Sequence, residues 1–228
     1  MSLPDWVEPT ARYMFEEGLA GTLRIAAISL VGSTLIGITF GTLMTIDFRP
    51  TRALIRFYIE VWRGLPILVT VFIIYFALPA VNSAFEFDPF SAAAIGLTLW
   101  GSAQVAEATR GAVQSIPREQ HEAAAALGFG WVGRHAFVIL PQALRRLLPP
   151  IVGLLVNIIQ NTTIAQVIGA TELLESGEQQ VERLTAPPPI GPGEVHSFEI
   201  YGAVMVVFFL MSFPLTRLAA YLERRLVA

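Results

Sequence analysis

The stretch IAAISLVGSTLIGITFGTLMTI, residues 25–46, contains no charged residue. A helix needs about 20 apolar residues, at a rise of 1.5 Å each, to cross the hydrocarbon core of a bilayer. This stretch is therefore long enough to span a membrane, and it decides the fold class. The composition agrees, because the chain of 228 residues is 54% hydrophobic and only 14% charged, against roughly 25% charged residues in soluble domains.

Four further uncharged runs follow along the chain. They are residues 64–85, 89–106, 147–171 and 200–216. Each approaches or exceeds the length of a membrane span. We predict an all-α, polytopic membrane protein with five transmembrane helices, folded as a single domain over 1–228.

The basic residues indicate the orientation, because cytoplasmic loops are enriched in Lys and Arg. All 15 basic residues are arginines. Most lie between spans one and two, between spans three and four, or after span five, whereas the alternate segments are mainly acidic. We therefore predict that the N-terminus is outside and the C-terminus inside. No basic region precedes the first span, so we expect no cleaved signal peptide.

Three patterns predict local features of the spans. Span one carries three glycines among Ser and Thr residues, at Gly32, Gly37 and Gly41. Small residues of this kind let membrane helices approach closely. Residues 50–63 alternate charged and apolar positions at helical spacing, which predicts an interfacial helix leading into span two. Glu107 and Arg110 lie three residues apart near the inner end of span three and are expected to form an ion pair.

Span four carries an unusual group of polar residues. They are Asn157, Gln160, Asn161, Thr162 and Thr163. The spacing places the three amides on one face of a helix. Polar side chains at this depth are costly unless they pair with a neighbour or face a wet path. Interhelical hydrogen bonds and a translocation path both remain open, and the clustering on one face favours the path.

The longest outer segment covers about 172–198. Four glutamates at near-helical spacing precede the loop sequence APPPIGPG, at Glu172, Glu175, Glu178 and Glu182. They are either a solvated acidic face or a docking surface for an external partner.

The stretch EAAAALGFGWVG, residues 122–133, contains a literal G-x-G-x-x-G. A dinucleotide site needs a strand before this motif and an acidic residue about 20 positions later. Here an alanine-rich helix precedes Gly128 and an apolar span follows. We expect Ser115 to cap this helix, Pro117 to lie in its first turn, and Gly128 to end it in a left-handed conformation. The chain has no lysine and no G-x-x-x-x-G-K-[ST] motif, so it cannot be its own P-loop ATPase.

The stretch EAAAALG at 122–128, followed by ILP at 139–141, resembles the EAA loop of ABC importer permeases. Five further stretches in the same order resemble permease subunits of polar amino-acid uptake systems. They are YIEVWRGLP (58–66), YFALP (75–79), AEATRGAVQSIPREQHEAA (106–124), LPQALRRLLPP (140–150) and VIGATELL (167–174). The resemblance implies the type I importer permease fold in a bacterial cytoplasmic (inner) membrane.

The resemblance also implies the partners and the coupling residues. The loop at about 115–136 would carry a coupling helix that inserts into a groove of a separate ATPase, through Glu122, Ala123, Ala124, Leu127 and Gly128. Two ATPase subunits would bind ATP and Mg, and this chain would hold no cofactor. A second permease subunit, identical or paralogous, an extracytoplasmic amino-acid-binding protein and membrane lipid complete the expected partners, with no nucleic acid.

Two departures from the family pattern bear on the substrate. The chain has Gln160 and Asn161 where these permeases usually have a Lys-Asp pair before a Thr/Ser dipeptide, and Gln104 where they often have a tyrosine. A missing carboxylate would weaken selection for a cationic side chain. The residues expected along the path are Gln104, Asn157, Gln160, Asn161 and Thr162.

Other functions are less well supported. An ATP-independent channel or secondary carrier for a small polar solute would need its own gating or ion-coupling charges, yet the ionisable residues lie mainly at span ends and inverted repeats are not apparent. An enzyme is not expected, because the three histidines, His121, His135 and His196, form no H-E-x-x-H motif or credible triad and the chain has no cysteine. The function that we predict is inward transport of a polar amino acid by alternating access.

Overall fold

The computed structural model describes residues 4–226, and the predicted domain of 1–228 extends past them at both ends. Every regular element in this part of the chain is helical. The helices are α1 (Val7–Leu43), α2 (Arg49–Gly64), α3 (Ile67–Val81), α4 (Pro89–Gln114), α5 (Arg118–Ala126), α6 (Trp131–Ile168), α7 (Leu173–Thr185) and α8 (Ser197–Leu226). Short π-helical turns interrupt α1, α3 and α6, and α6 ends in a 3-10 segment, Thr162–Ile168.

Three helices of the described chain, α1, α6 and α8, are long and apolar enough to cross a membrane. The pair α2 and α3 counts as a fourth if it forms one broken span. The break lies at Leu65, whose extended backbone (φ −81°, ψ 137°) is the conformation that a following proline favours.

Helix α4 corresponds to the third predicted span and is less apolar than the others. Its 26 residues are long enough to cross a bilayer. Several of its alanines are buried, and Ala92, Ala93, Ala103 and Ala106 are all 0% exposed. A helix surrounded by protein needs small residues for close packing rather than a lipid-soluble surface.

The chain divides into two compact units. The first unit contains the chain up to Ser29, Ile67–Leu97 and Val156–Pro214. The second contains Leu30–Pro66, Thr98–Leu155 and the described chain from Leu215 onward. The core of the first unit is a cluster of Met14, Leu173, Leu184, Ile200 and Val204. The core of the second contains two clusters, one of which joins Met44, Ile55, Ile59, Ala103 and Ala106.

Close packing of α1 on α4 in the second unit confirms the prediction made from the glycines of span one. A Cβ atom on Gly37 would lie 2.4 Å from Cβ of Val105, and one on Gly41 would lie 2.4 Å from the carbonyl oxygen of Ala106. These distances are shorter than any real contact, so the two helices can touch only because the side chains are absent.

Helix α2 has the amphipathic pattern that the sequence predicts. Ile55 and Ile59 are buried, while Leu54 and Phe57 are 70% and 67% exposed.

The expected ion pair in α4 is also present, because Arg110 donates to both carboxylate oxygens of Glu107. Arg110 donates a further hydrogen bond to Gln114 at 2.8 Å, which ties the pair to the last turn of α4.

Candidate coupling and translocation sites

Helix α5 ends in a left-handed turn at Gly128. The φ angle of Gly128 is +85°. Its amide donates to the carbonyl of Ala125 at 2.9 Å, and the amide of Phe129 donates to the carbonyl of Ala124 at 3.1 Å. This pair of bonds is the Schellman arrangement, which satisfies the last carbonyls of a helix and turns the chain back. The predicted role of Gly128 as the helix stop is confirmed.

The predicted coupling residues lie on two different sides of α5. Ala124 is 2% exposed and packs back onto the protein, whereas Leu127 is 79% exposed. Glu122 and Ala123 are also exposed. Glu122 pairs with Arg118 at 3.1 Å, one turn earlier on the same exposed surface. Helix α5 therefore presents a narrow surface of small residues with one large apolar side chain at its end.

The start of α5 differs from the prediction. Pro117 is the residue that precedes the helix, and no side chain caps the first turn. Ser115 was expected to be the cap, which is wrong, because its hydroxyl donates instead to the carbonyl of Ala112 at 2.8 Å. Ser115 in turn accepts hydrogen bonds from Arg146 at its carbonyl oxygen (2.7 Å) and its hydroxyl (2.5 Å).

Helix α5 is attached to the first half of α6. Gln142 donates to the side-chain oxygen of Gln120 at 3.3 Å. The residues just before α5 share an apolar cluster with the start of α6, formed by Val113, Ile116, Ile139 and Ala143. This part of α6 therefore contacts both α5 and the residues just before it.

Two histidines lie at the junction of α5 and α6. The sequence assigns no role to either of them. His135 is buried, stacks on Trp131 at 4.1 Å between ring centroids, and contacts the hydroxyl of Thr45 through Nε2 at 3.2 Å. His121 faces His135 at 6.2 Å. Burial and the charge of Arg134 lower the pKa of His121. Their spacing in the sequence carries no motif that could have identified them.

The three amides of span four lie at the end of the α-helical part of α6, which stops at Asn161. Asn157 and Gln160 are exposed in the isolated chain. Asn161 is partly buried, and its amide donates to the carbonyl of Asn157 at 2.7 Å. The predicted common face of the amides is therefore retained, with one of the three partly engaged by its own helix.

The remaining two path residues lie in different surroundings. Thr162 is 0% exposed, and its hydroxyl donates to the carbonyl of Ile159 at 2.8 Å, so it does not share the open face of the amides. Gln104 is partly buried in α4 and belongs to the other compact unit.

Glu172, at the start of the outer segment, lies in the interior and not on the acidic surface that the sequence predicts. It is 0% exposed, so its assignment to a solvated acidic face is wrong. Its carboxylate caps α7 by accepting the amide of Glu175 at 2.8 Å, and the hydroxyl of Thr22 donates to its other oxygen at 3.4 Å. Burial raises the pKa of Glu172. Glutamate is not among the residues that commonly cap a helix, so the sequence carries no local signal of this role.

The outer segment also encloses a cavity of about 620 Å³. Trp6 stacks on His196 at its edge, with 4.2 Å between ring centroids. Gln180, which is 5% exposed, and Arg183 line it from α7. The other glutamates of α7 vary in exposure, since Glu182 is exposed and Glu178 accepts a hydrogen bond from Gln166.

These features define a subunit of a membrane transport system. Apolar helices cross the bilayer, amides lie within one of them, and a short exposed helix outside the spans is attached to the same element. The chain belongs to the family described as binding-protein-dependent transport system inner membrane component, which matches residues 33–228. It is a multi-pass protein of the inner membrane.

Individual relatives agree with this family. The chain is 36% identical over 210 residues to the glutamine transport system permease protein GlnP of Escherichia coli K12, covering 92% of this chain and 91% of that protein. It is 34% identical over 163 residues to the arginine transport system permease protein ArtQ of Bacillus subtilis, covering 72% and 74%. A solved amino acid ABC transporter with histidines matches with a TM-score of 0.80 at 26% identity, covering 99% of this chain and 100% of that one. The resemblance to ABC importer permeases is confirmed.

Proposed function

We propose that this chain forms one half of the membrane path of an ABC importer that carries a neutral polar amino acid inward. The observation that carries the proposal is the exposed helix α5, which ends at the left-handed Gly128. Gln142 of α6 bonds to this helix and Arg146 bonds to the turn before it. Such an element can receive motion from another protein and pass it to a membrane helix. The family membership supports the same role.

The partner at α5 would be a separate ATPase subunit, because this chain contains no P-loop and no lysine. The small side chains at Ala123 and Ala126 would let α5 enter a groove, with Leu127 as its apolar contact and Glu122 facing a cation. ATP and Mg would be bound by that partner. Two ATPases would serve two permease chains, since one chain with a single coupling helix encloses only half a path.

The topology that we propose has five spans, with α4 as the interior one and with the N-terminus outside. The distribution of arginines supports it, and a cysteine-free chain makes it easy to test. Glu8→Cys and Glu223→Cys place one thiol on each expected side. A membrane-impermeant maleimide should label the first in intact cells and the second only after permeabilisation. Labelling of both in intact cells would contradict the orientation.

The substrate that we propose is a neutral polar amino acid, with glutamine as the first candidate. The relatives include proteins named for glutamine and for arginine transport, so likeness alone does not choose between these substrates. Gln160 and Asn161 offer amides where a carboxylate would favour a cation. An amide pair can both donate and accept hydrogen bonds, which matches the side chain of glutamine.

The decisive experiment is ATP hydrolysis by the reconstituted complex with its amino-acid-binding protein. We expect glutamine to stimulate hydrolysis strongly and arginine weakly. Stimulation by arginine to the same extent would refute the substrate assignment. ATP hydrolysis that no amino acid stimulates, in a complex that contains both ATPases, would refute the importer function itself.

A further inference from the structure

Helix α2 has three distinct faces. Ile55 and Ile59 are 5% and 3% exposed and pack in the core of their unit. Leu54 and Phe57, three residues apart, form a second face that no described residue covers. The third face carries the charged residues of the helix, which are Arg49, Arg52, Arg56, Glu60 and Arg63. At 100° per residue the charged face borders the buried face, but its centre is about 130° from the centre of the Leu54 and Phe57 face, so α2 presents hydrocarbon on one exposed side and charge on another.

An apolar groove continues the exposed apolar face. It has a volume of about 440 Å³ and is lined by Leu35, Ile36, Thr39, Phe40, Tyr58 and Leu99. Tyr58 lies one helical turn from Leu54, so the groove begins where the exposed face of α2 ends. The hydroxyl of Tyr58 pairs with that of Ser102 at 2.7 Å, which leaves its ring as the surface that it offers to the groove.

The charge of this segment is positive. Four arginines between Arg49 and Arg63 are opposed by Asp47 and Glu60 alone, which leaves a net charge of +2. Arg52 pairs with Asp47 at 2.5 Å and Arg56 with Glu60 at 3.2 Å. Arg49 forms no ion pair or hydrogen bond with any residue of 4–226 and is exposed. Its guanidinium is therefore available to an external anion.

We propose that α2 is a binding site for anionic phospholipid of the cytoplasmic leaflet. The phosphate binds at the arginine face, chiefly at Arg49, and the hydrocarbon packs on Leu54 and Phe57 and enters the groove beside Tyr58. A basic amphipathic helix with Leu and Phe on its other side lies in the membrane interface, and juxtamembrane arginines attract anionic lipid. The proposal rests on the proposed orientation, which places α2 on the inner side.

The test is selective lipid retention by the purified complex of the full chain and its partner subunits. The complex is extracted from vesicles of phosphatidylethanolamine mixed with phosphatidylglycerol, washed in neutral detergent, and its bound phospholipids are quantified. We expect phosphatidylglycerol to be enriched over its share of the vesicle. Arg49→Gln should reduce the enrichment by about fivefold, the effect of one arginine near an anionic surface.

Arg49→Gln, and a second test variant, Phe57→Ser, each have a matched control. Arg12→Gln removes one exposed arginine from a segment with Glu8, Glu16 and Glu17, and it should leave the enrichment unchanged. Phe57→Ser should lower total retention, whereas Phe76→Ser, at a residue that is 56% exposed on α3, should not. Each complex is first checked by size-exclusion chromatography, so that a failure to assemble is recognised.

Three outcomes would overturn the proposal. They are equal retention of both lipids by the unaltered chain, equal losses in Arg49→Gln and Arg12→Gln, and disulfide-linked permease pairs in Phe57→Cys, which would assign the apolar face to a second copy. Lipid retention is measured without ATP. Loss of substrate-stimulated hydrolysis with normal retention would therefore refute the importer function alone.

Discussion

Replacing Gly128 by alanine tests whether the left-handed turn fixes the end of α5. A Cβ atom at this position would meet no atom within 4 Å, so the change adds no clash. Its cost lies in the backbone, because a non-glycine residue at φ +85° loses roughly 1–2 kcal/mol. That energy lowers the equilibrium constant between the correct turn and its alternatives by about five- to thirtyfold. The bonds from Gly128 and Phe129 to the last carbonyls then break, and Leu127 loses its fixed position.

The assay is ATP hydrolysis stimulated by the amino-acid-loaded binding protein in proteoliposomes. We expect Gly128→Ala to lower it, by at most the same factor of about five- to thirtyfold. Gly128→Asn should cost less, because asparagine tolerates the left-handed region better than alanine. A bulky charged residue at 128 should uncouple hydrolysis from transport.

Gly130→Ala is the matched control. A Cβ atom on Gly130 would also meet no atom within 4 Å, but the φ angle of Gly130 is −65°, which alanine adopts freely. Stimulated hydrolysis should be unchanged in this variant. Equal losses in Gly128→Ala and Gly130→Ala, or an asparagine variant no better than alanine, would show that backbone conformation does not set the coupling.

Three further changes test other parts of the molecule. Gly37→Ala should destabilise the chain by about 1–3 kcal/mol in a thermal melt through overpacking against Val105, whereas Gly153→Ala, where a Cβ meets nothing within 4 Å, should not. Asn161→Leu should change which amino acids stimulate ATP hydrolysis without changing the yield of complex, and an unaltered profile would remove Asn161 from the path. Glu172 has a raised pKa, so its neutral form is the stabilising one: this contribution is complete below the ordinary glutamate pKa and is lost as pH rises through the folded value. Glu172→Gln should remove that loss, and parallel stability–pH curves for the two proteins would contradict the assignment.

Local patterns predicted the features that depend on neighbours in the sequence. An alanine run followed by glycine predicts a helix with a left-handed stop, and Gly128 has that conformation. The spacing of Glu107 and Arg110 predicts their ion pair. Gly37 and Gly41 predict close packing of span one. They do not identify the helix that packs there, because a glycine allows any helix to approach closely.

Features that depend on distant residues could not be predicted in the same way. Glu172 has the spacing of a solvated face with Glu175, but Thr22, 150 positions earlier, helps to satisfy its carboxylate. Ser115 has the position of a helix cap, yet Arg146, 31 positions later, holds it in another role. In both cases a tertiary partner adds to a local hydrogen bond, and no local pattern reveals that partner.

The construction of α6 determines how motion of α5 can reach the amides. Gln142 and Arg146, which contact α5 and the turn before it, precede Pro149 and Pro150 in the helix, and Asn157 follows them. Each proline removes an amide donor from the helical ladder, and a pair of them is a place where a helix bends. The two halves of α6 therefore need not move as one rigid rod. In the coupling role that we propose for α5, the prolines are the point at which we expect α6 to bend.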